Sequence, residues 1–110
     1  MGKKIQFQVL ILSVALAAAV TGAMAFAQSS GEATYKTKCL NCHGANGMAE
    51  TAVGKAIKVK PANDPAVKKL TEAQMIEAVR NGMGRMQSYK DKMSEADIKS
   101  SVDYFRTFVK

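Results

Sequence analysis

Both cysteines and the only histidine of this 110-residue chain stand in one pentapeptide, Cys39-Leu40-Asn41-Cys42-His43. That concentration constrains the fold more than any other feature of the sequence. A structural zinc site built from Cys and His needs more of these residues than two Cys and one His, unless carboxylates join them. A disulfide-dense secreted scaffold needs several bridges, and one is the ceiling here. Aromatic residues make up 6% of the chain and Trp is absent, so the material for a large core is thin.

The N-terminal stretch takes much of the apolar content out of the fold. Met1 to Gln8 carries Lys3 and Lys4 and no acid. Val9 to Val20 is apolar except for Ser13, which suits a signal-peptide hydrophobic region and falls short of the ~20 residues of a membrane span. Ala23-Met24-Ala25 and Ala25-Phe26-Ala27 then offer two A-x-A registers. The expected organisation is a secretory signal peptide over 1–27, cleaved after Ala25 or Ala27, and one domain over 28–110. An uncleaved tilted anchor from Val9 to Ala27 is the competing reading, and its alanine-rich composition makes a weak anchor. Processing leaves about 83 residues and lowers the formal charge from +7 to +5 by removing Lys3 and Lys4. A domain this small ordinarily needs a disulfide, metal, cofactor or oligomeric partner to hold it together.

The rest of the chain reads as helices and loops, with no convincing strand. Gly31 to Leu40 forms a short helix leading into the cysteine pair. Gly44 to Lys69 is loop-rich, broken by Gly44, Gly47, Gly54, Pro61 and Pro65. Thr71 to Asn81 is a helix, with Thr71 as N-cap, Gln74 completing a capping box and Gly82 as the stop. Met75, Ile76 and Val79 fall on its apolar face. Gly82 to Lys92 is a second loop. The last helix opens at Ser94, carries Glu95 and Asp97 in its first turn, and runs to the end. Its buried stripe is Ile98, Val102, Phe105 and Val109, joined by Tyr104 and Phe108.

Four chemistries compete for the pentapeptide. A structural disulfide across two intervening residues would stabilise little by chain entropy. A thioredoxin-like pair needs a βαβ setting, and no strand precedes it. Zinc would find only three ligands. The order C-x-x-C-H, by contrast, is the signature of covalent haem attachment. Cysteines three apart project to one side of a helical turn, where each can form a thioether to a haem vinyl group. His43 follows at once, so its imidazole is placed as the proximal iron ligand.

These residues resemble those of the small monohaem class I cytochromes c of bacteria. Gly31-x-x-x-Tyr35-x-x-x-Cys39-x-x-Cys42-His43-Gly44 is similar to the family's first helix. Asn81-Gly82-Met83-Gly84-Arg85-Met86 resembles its methionine loop, and Ser94 to Val109 its last helix, where Tyr104 and Phe105 would cross near Gly31 and Tyr35. The resemblance covers nearly all of the processed chain. It implies an all-α class I cytochrome c fold, three to four helices wrapped around one covalently bound haem c. It also implies a methionine as the second axial ligand, assigned by the loop to Met86, with Met83 as runner-up. Met75 reads as core, Met48 lies too close behind His43, and Met93 lacks a glycine-rich flank. Two departures stand out. Gln87 replaces the proline that usually follows the ligand methionine, which loosens the loop. Ala52 replaces the proline whose carbonyl usually accepts from the proximal histidine, and the Ala52 carbonyl is expected to serve instead.

With His43 and Met86 both on iron, no coordination position stays open. The implied function is then one-electron transfer between periplasmic or membrane-bound partners rather than catalysis. The partners would be a reductase, an oxidase or a photosynthetic complex. Lys36, Lys38, Lys55, Lys58, Lys60, Arg85, Lys90 and Lys92 flank the expected haem crevice and suit an acidic docking face. Export to the periplasm, or to a thylakoid-like lumen, disfavours nucleic acid as a partner, and no stable membrane insertion is expected after processing. A haem enzyme or gas sensor with a labile methionine is the main alternative, and a thiol–disulfide oxidoreductase the second.

Overall fold

The computed structural model describes residues 31–110, so the expected signal peptide and its cleavage positions lie outside the described residues. Among the described residues the protein is helical. Helix α1 covers 31–38, followed by α2 Leu40–His43, α3 Ala52–Ala56, α4 Pro65–Lys68, α5 Glu72–Asn81 and α6 Glu95–Arg106. An isolated antiparallel bridge between Met83 and Met86 is the one strand-like contact among the described residues.

Local chemistry accounts for the helix ends. Thr71 Oγ1 accepts from Gln74 N at 3.2 Å while Gln74 Oε1 accepts from Thr71 N at 2.9 Å, completing the expected capping box of α5. Ser94 Oγ accepts from Asp97 N at 3.1 Å at the start of α6. That helix stops at Arg106 instead of running to the end. Phe108 N and Val109 N donate to Phe105 and Arg106 carbonyls, the tighter pairing common where a helix has no following turn to hold it.

The expected loop over 44–69 contains two short helices. Thr51 Oγ1 caps α3 through Gly54 N, and Asp64 caps α4 through Ala66 N, with Pro65 in its first turn. Proline and glycine punctuate this stretch, yet a proline in the first helical turn loses no hydrogen bond, so it opens α4 rather than blocking it.

The end of α3 carries backbone strain. Lys58 has φ +57°. Val59 N donates to Gly54 O at 2.9 Å and Lys58 N to Lys55 O at 3.3 Å, the two bonds of a Schellman cap with lysine at the position that favours glycine. Lys58→Gly removes a left-handed penalty of about 1–2 kcal/mol and adds back roughly 0.5–1 kcal/mol of unfolded-chain entropy. The expected result is a small rise in the thermal unfolding midpoint, and a fall would contradict this account.

The core lies where α5 meets α6. Met75, Val79, Tyr89, Ile98 and Val102 are buried together, with Ile98 fully enclosed. Leu70, Ile76, Met86, Met93, Phe105 and Val109 pack against them while remaining partly exposed. Two exposed ion-pair groups clasp the same helices: Glu72 with Lys99 and Arg106, and Arg80 with Glu77 and Glu95.

At the other side of α6, α1 crosses at the expected place. A Cβ on Gly31 would collide with the Ser100 carbonyl, so only glycine permits this approach. Tyr35 is 1% exposed and packs against the rings of Tyr104, Phe105 and Phe108 at centroid distances of 5.3, 6.3 and 5.7 Å.

Candidate functional site

The pentapeptide begins where the first helix breaks. Residues 31–38 are helical, Cys39 departs from the helix, and Leu40–His43 resume it. Cys42 N and His43 N both donate to the Cys39 carbonyl, at 3.2 and 2.9 Å. The neighbouring carbonyls are also occupied. Leu40 O accepts from Gly44 N at 2.8 Å, Asn41 O from the Thr51 hydroxyl at 2.6 Å, and His43 O from Ala49 N at 2.8 Å. The buried Tyr35 hydroxyl donates to Gly44 O at 2.7 Å. A Cβ on Gly54 would strike the Cys42 carbonyl, so α3 lies directly against α2 at that point. The segment is therefore held by bonds on several sides rather than by helix propensity alone.

The three reactive side chains share this fixed backbone. Cys39 and Cys42 are free thiols, each half-buried. Burial, with the neighbouring Cys42 charge, pushes the Cys39 thiol up to about 11. This is the opposite of the depressed value that activates a thiol–disulfide oxidoreductase. Burial lowers the pKa of His43, which favours the neutral imidazole, the form that ligates metals. Its ring meets the edge of Phe105 at a centroid distance of 5.3 Å.

His43 Nδ1 is buried and has no hydrogen-bond partner. The expected bond to the Ala52 carbonyl is therefore not made, which corrects that assignment. Ala52 is the first residue of α3, where a carbonyl points along the helix axis toward the amides of the next turn. An unpaired buried nitrogen is costly, and most such groups in folded proteins find a partner. Among the described residues, no group of three or more His, Cys, Asp or Glu side chains is placed to hold a metal ion by itself. Two free thiols three positions apart with a neutral imidazole directly after them are the donor set that fits haem c.

The methionine loop is folded by its glycines. Gly82 ends α5 at φ +81°, and a Cβ there would crowd the Met86 carbonyl. Met83 and Met86 exchange both backbone bonds, at 3.1 and 2.9 Å, across Gly84 and Arg85. Gly84 alone of these central residues has positive φ, as in a type II′ turn. The tight turn separates the two candidates. Met86 packs against the core cluster, whereas Met83 is 58% exposed.

Three residues shaping this region carried no local signal that marked them. Thr51 and Gly54 hold the pentapeptide backbone from α3, and Tyr89 reaches from the methionine loop to Lys38. Thr51 is recognisable as an N-cap, but nothing in its neighbourhood reveals that its hydroxyl also donates to Asn41.

The helical fold, with its Cys-x-x-Cys-His turn and glycine-bounded methionine loop, defines a small class I cytochrome c. Residues 26–105 match the family described as cytochrome C oxidase, cbb3-type, subunit III, and the chain belongs to that family. A solved structure described as the KustC0563 c-type cytochrome is similar at a TM-score of 0.66 and 27% identity, over 73% of this chain and 98% of that one. No curated protein sequence matches the chain. Family membership implies haem iron and a role in electron transfer.

Proposed function

We propose that this protein is an exported one-electron carrier holding one haem c per chain through thioethers from Cys39 and Cys42, with His43 and Met86 as axial ligands. The observation that carries the reading is a buried, neutral His43 imidazole on a backbone pinned beside two free thiols. Bound haem c would supply an Fe(III)/Fe(II) couple, and a thioether ligand favours the reduced state. The protein's own part is to hold. The Tyr35, Thr51 and Ala49 bonds fix the cysteine and histidine backbone, and Phe105 packs against the imidazole. Fixed ligands need little rearrangement between oxidation states, which suits rapid exchange.

The burial difference between Met86 and Met83 supports Met86 as ligand. Two measurements test the reading together. The intact mass should exceed that of the processed polypeptide by one haem with no free thiol remaining. The reduced protein should be low-spin and indifferent to carbon monoxide. Two titratable thiols would indicate a thiol–disulfide oxidoreductase, and ready carbon monoxide binding a sensor or enzyme.

The carrier would meet an acidic partner. Lys38, Lys55, Lys58, Lys60, Arg85, Lys90 and Lys92 are exposed and form no ion pair among the described residues, whereas Lys36 pairs with Glu32 at 2.5 Å. Helix α3, which carries Lys55, packs directly on α2. Electron exchange with an anionic probe such as hexacyanoferrate should slow roughly threefold or more as salt rises from about 0.01 to 0.2 M. A cationic ruthenium hexaammine probe should show the opposite trend. Equal salt responses for the two probes would rule out steering by this basic surface.

A further inference from the structure

Tyr89 joins the methionine loop to the haem-binding segment. Its ring is buried in the core with Met75, Val79, Ile98 and Val102. Its hydroxyl donates to the Lys38 carbonyl at 3.1 Å, across 51 positions of sequence. That carbonyl is available because the first helix breaks at Cys39. In an unbroken helix Cys42 N would bond to Lys38 O, and here it donates to Cys39 O instead.

The chain of bonds continues back to the loop. Gln87 Nε2 donates to Tyr89 Oη at 3.1 Å, and Lys92 Nζ donates to Gln87 Oε1. Gln87 directly follows Met86, and Lys38 directly precedes Cys39. A polar strut thus runs from the residue after one proposed iron ligand to the residue before the first thioether cysteine. The loop's other side is fastened to the end of α5. Tyr89 N donates to Val79 O at 3.0 Å, and Ser88 Oγ donates to Arg80 O at 2.7 Å.

We propose that the Gln87–Tyr89–Lys38 strut positions the Met86 loop over the haem and sets how readily Met86 leaves the iron. Gln87 has no ring to stiffen the backbone after Met86, and its amide is instead bonded on both sides, to Tyr89 Oη and Lys92 Nζ. The inference rests on the reading of Met86 as axial ligand. Opening the loop must break Tyr89 Oη–Lys38 O, so the bond favours the closed, methionine-ligated state. Gln87 and Tyr89 are positioning residues and do not touch the iron.

The test uses the ferric holoprotein and imidazole as a competing ligand, followed by loss of the sulfur-to-iron charge-transfer band in the red. Tyr89→Phe keeps the buried ring and removes only the hydroxyl. The affinity for imidazole should rise about tenfold, the loss of one net hydrogen bond, and Gln87→Ala should raise it several-fold. Ile98→Val, a change in the same buried core that leaves the strut's polar bonds in place, should lower the unfolding midpoint yet raise imidazole affinity far less than Tyr89→Phe does. If Tyr89→Phe shows the band and binds imidazole with wild-type affinity, the strut has no positioning role. If Ile98→Val raises the affinity as much as Tyr89→Phe does, the effect is general destabilisation and the proposal fails. A wild-type protein with no charge-transfer band would overturn the Met86 reading itself, and the proposal with it.

Discussion

A Cys39→Ala/Cys42→Ala variant, unable to attach haem, loses most of its helical signal in far-ultraviolet circular dichroism and has no cooperative thermal transition. The expectation follows from the size of the core. Among the described residues the central cluster has five buried members, Met75, Val79, Tyr89, Ile98 and Val102. Its surrounding apolar side chains, Leu70, Ile76, Met86, Met93 and Phe105, remain partly exposed. Ordering the backbone costs roughly 1–2 kcal/mol per residue, which so small a core cannot offset alone.

The helices do not help by themselves. Among the described residues the longest, α6, has 12 residues, and α5 has 10. Isolated helices shorter than about 12–15 residues are marginal in water. The clasps from Glu72 and Arg80 lie in solvent, where such pairs contribute about 0–1 kcal/mol each. A covalently attached apolar macrocycle would add the missing buried surface and tie the pentapeptide to the rest of the fold. Native helicity in the double variant without haem would show that the polypeptide core suffices.

The second large effect is expected at Met86. Met86→Leu conserves volume, so packing against the core should survive at a cost below about 1.5 kcal/mol. The thioether is lost, however. The variant should lack the charge-transfer band and bind carbon monoxide when reduced. Its reduction potential should fall on the order of 0.1 V, a fraction of the ~0.8 V range that axial ligands span. Met83→Leu should leave all three properties unchanged, because that side chain projects into solvent. Reversed outcomes would move the ligand assignment to Met83, three residues away across one turn.

Much of this was legible in the chain because the controlling interactions are local. The capping box of Thr71 and Gln74, the stop at Gly82 and the start at Ser94 each depend on residues within one turn. The crossing of α1 and α6 on Gly31, Tyr35, Tyr104 and Phe105 came from the family resemblance, not from spacing within either helix. The short helices α3 and α4 were masked by glycine and proline, which mark breaks in general but are accommodated at helix starts and ends.

The sequence by itself determined the chemistry on offer: two thiols and an imidazole in one turn, a glycine-bounded methionine loop, and too little core without a cofactor. The tertiary structure alone decided how those groups are held. The Ala52 carbonyl, plausible from its position in the chain, is not bonded to His43. Instead, the Thr51 hydroxyl reaches Asn41, and the Tyr89 hydroxyl reaches Lys38. Such bonds depend on where distant segments meet and on which carbonyls a helix break releases. Spacing within one segment encodes direction and reach along that segment, whereas a contact across 51 residues exists only once the core has brought both ends together.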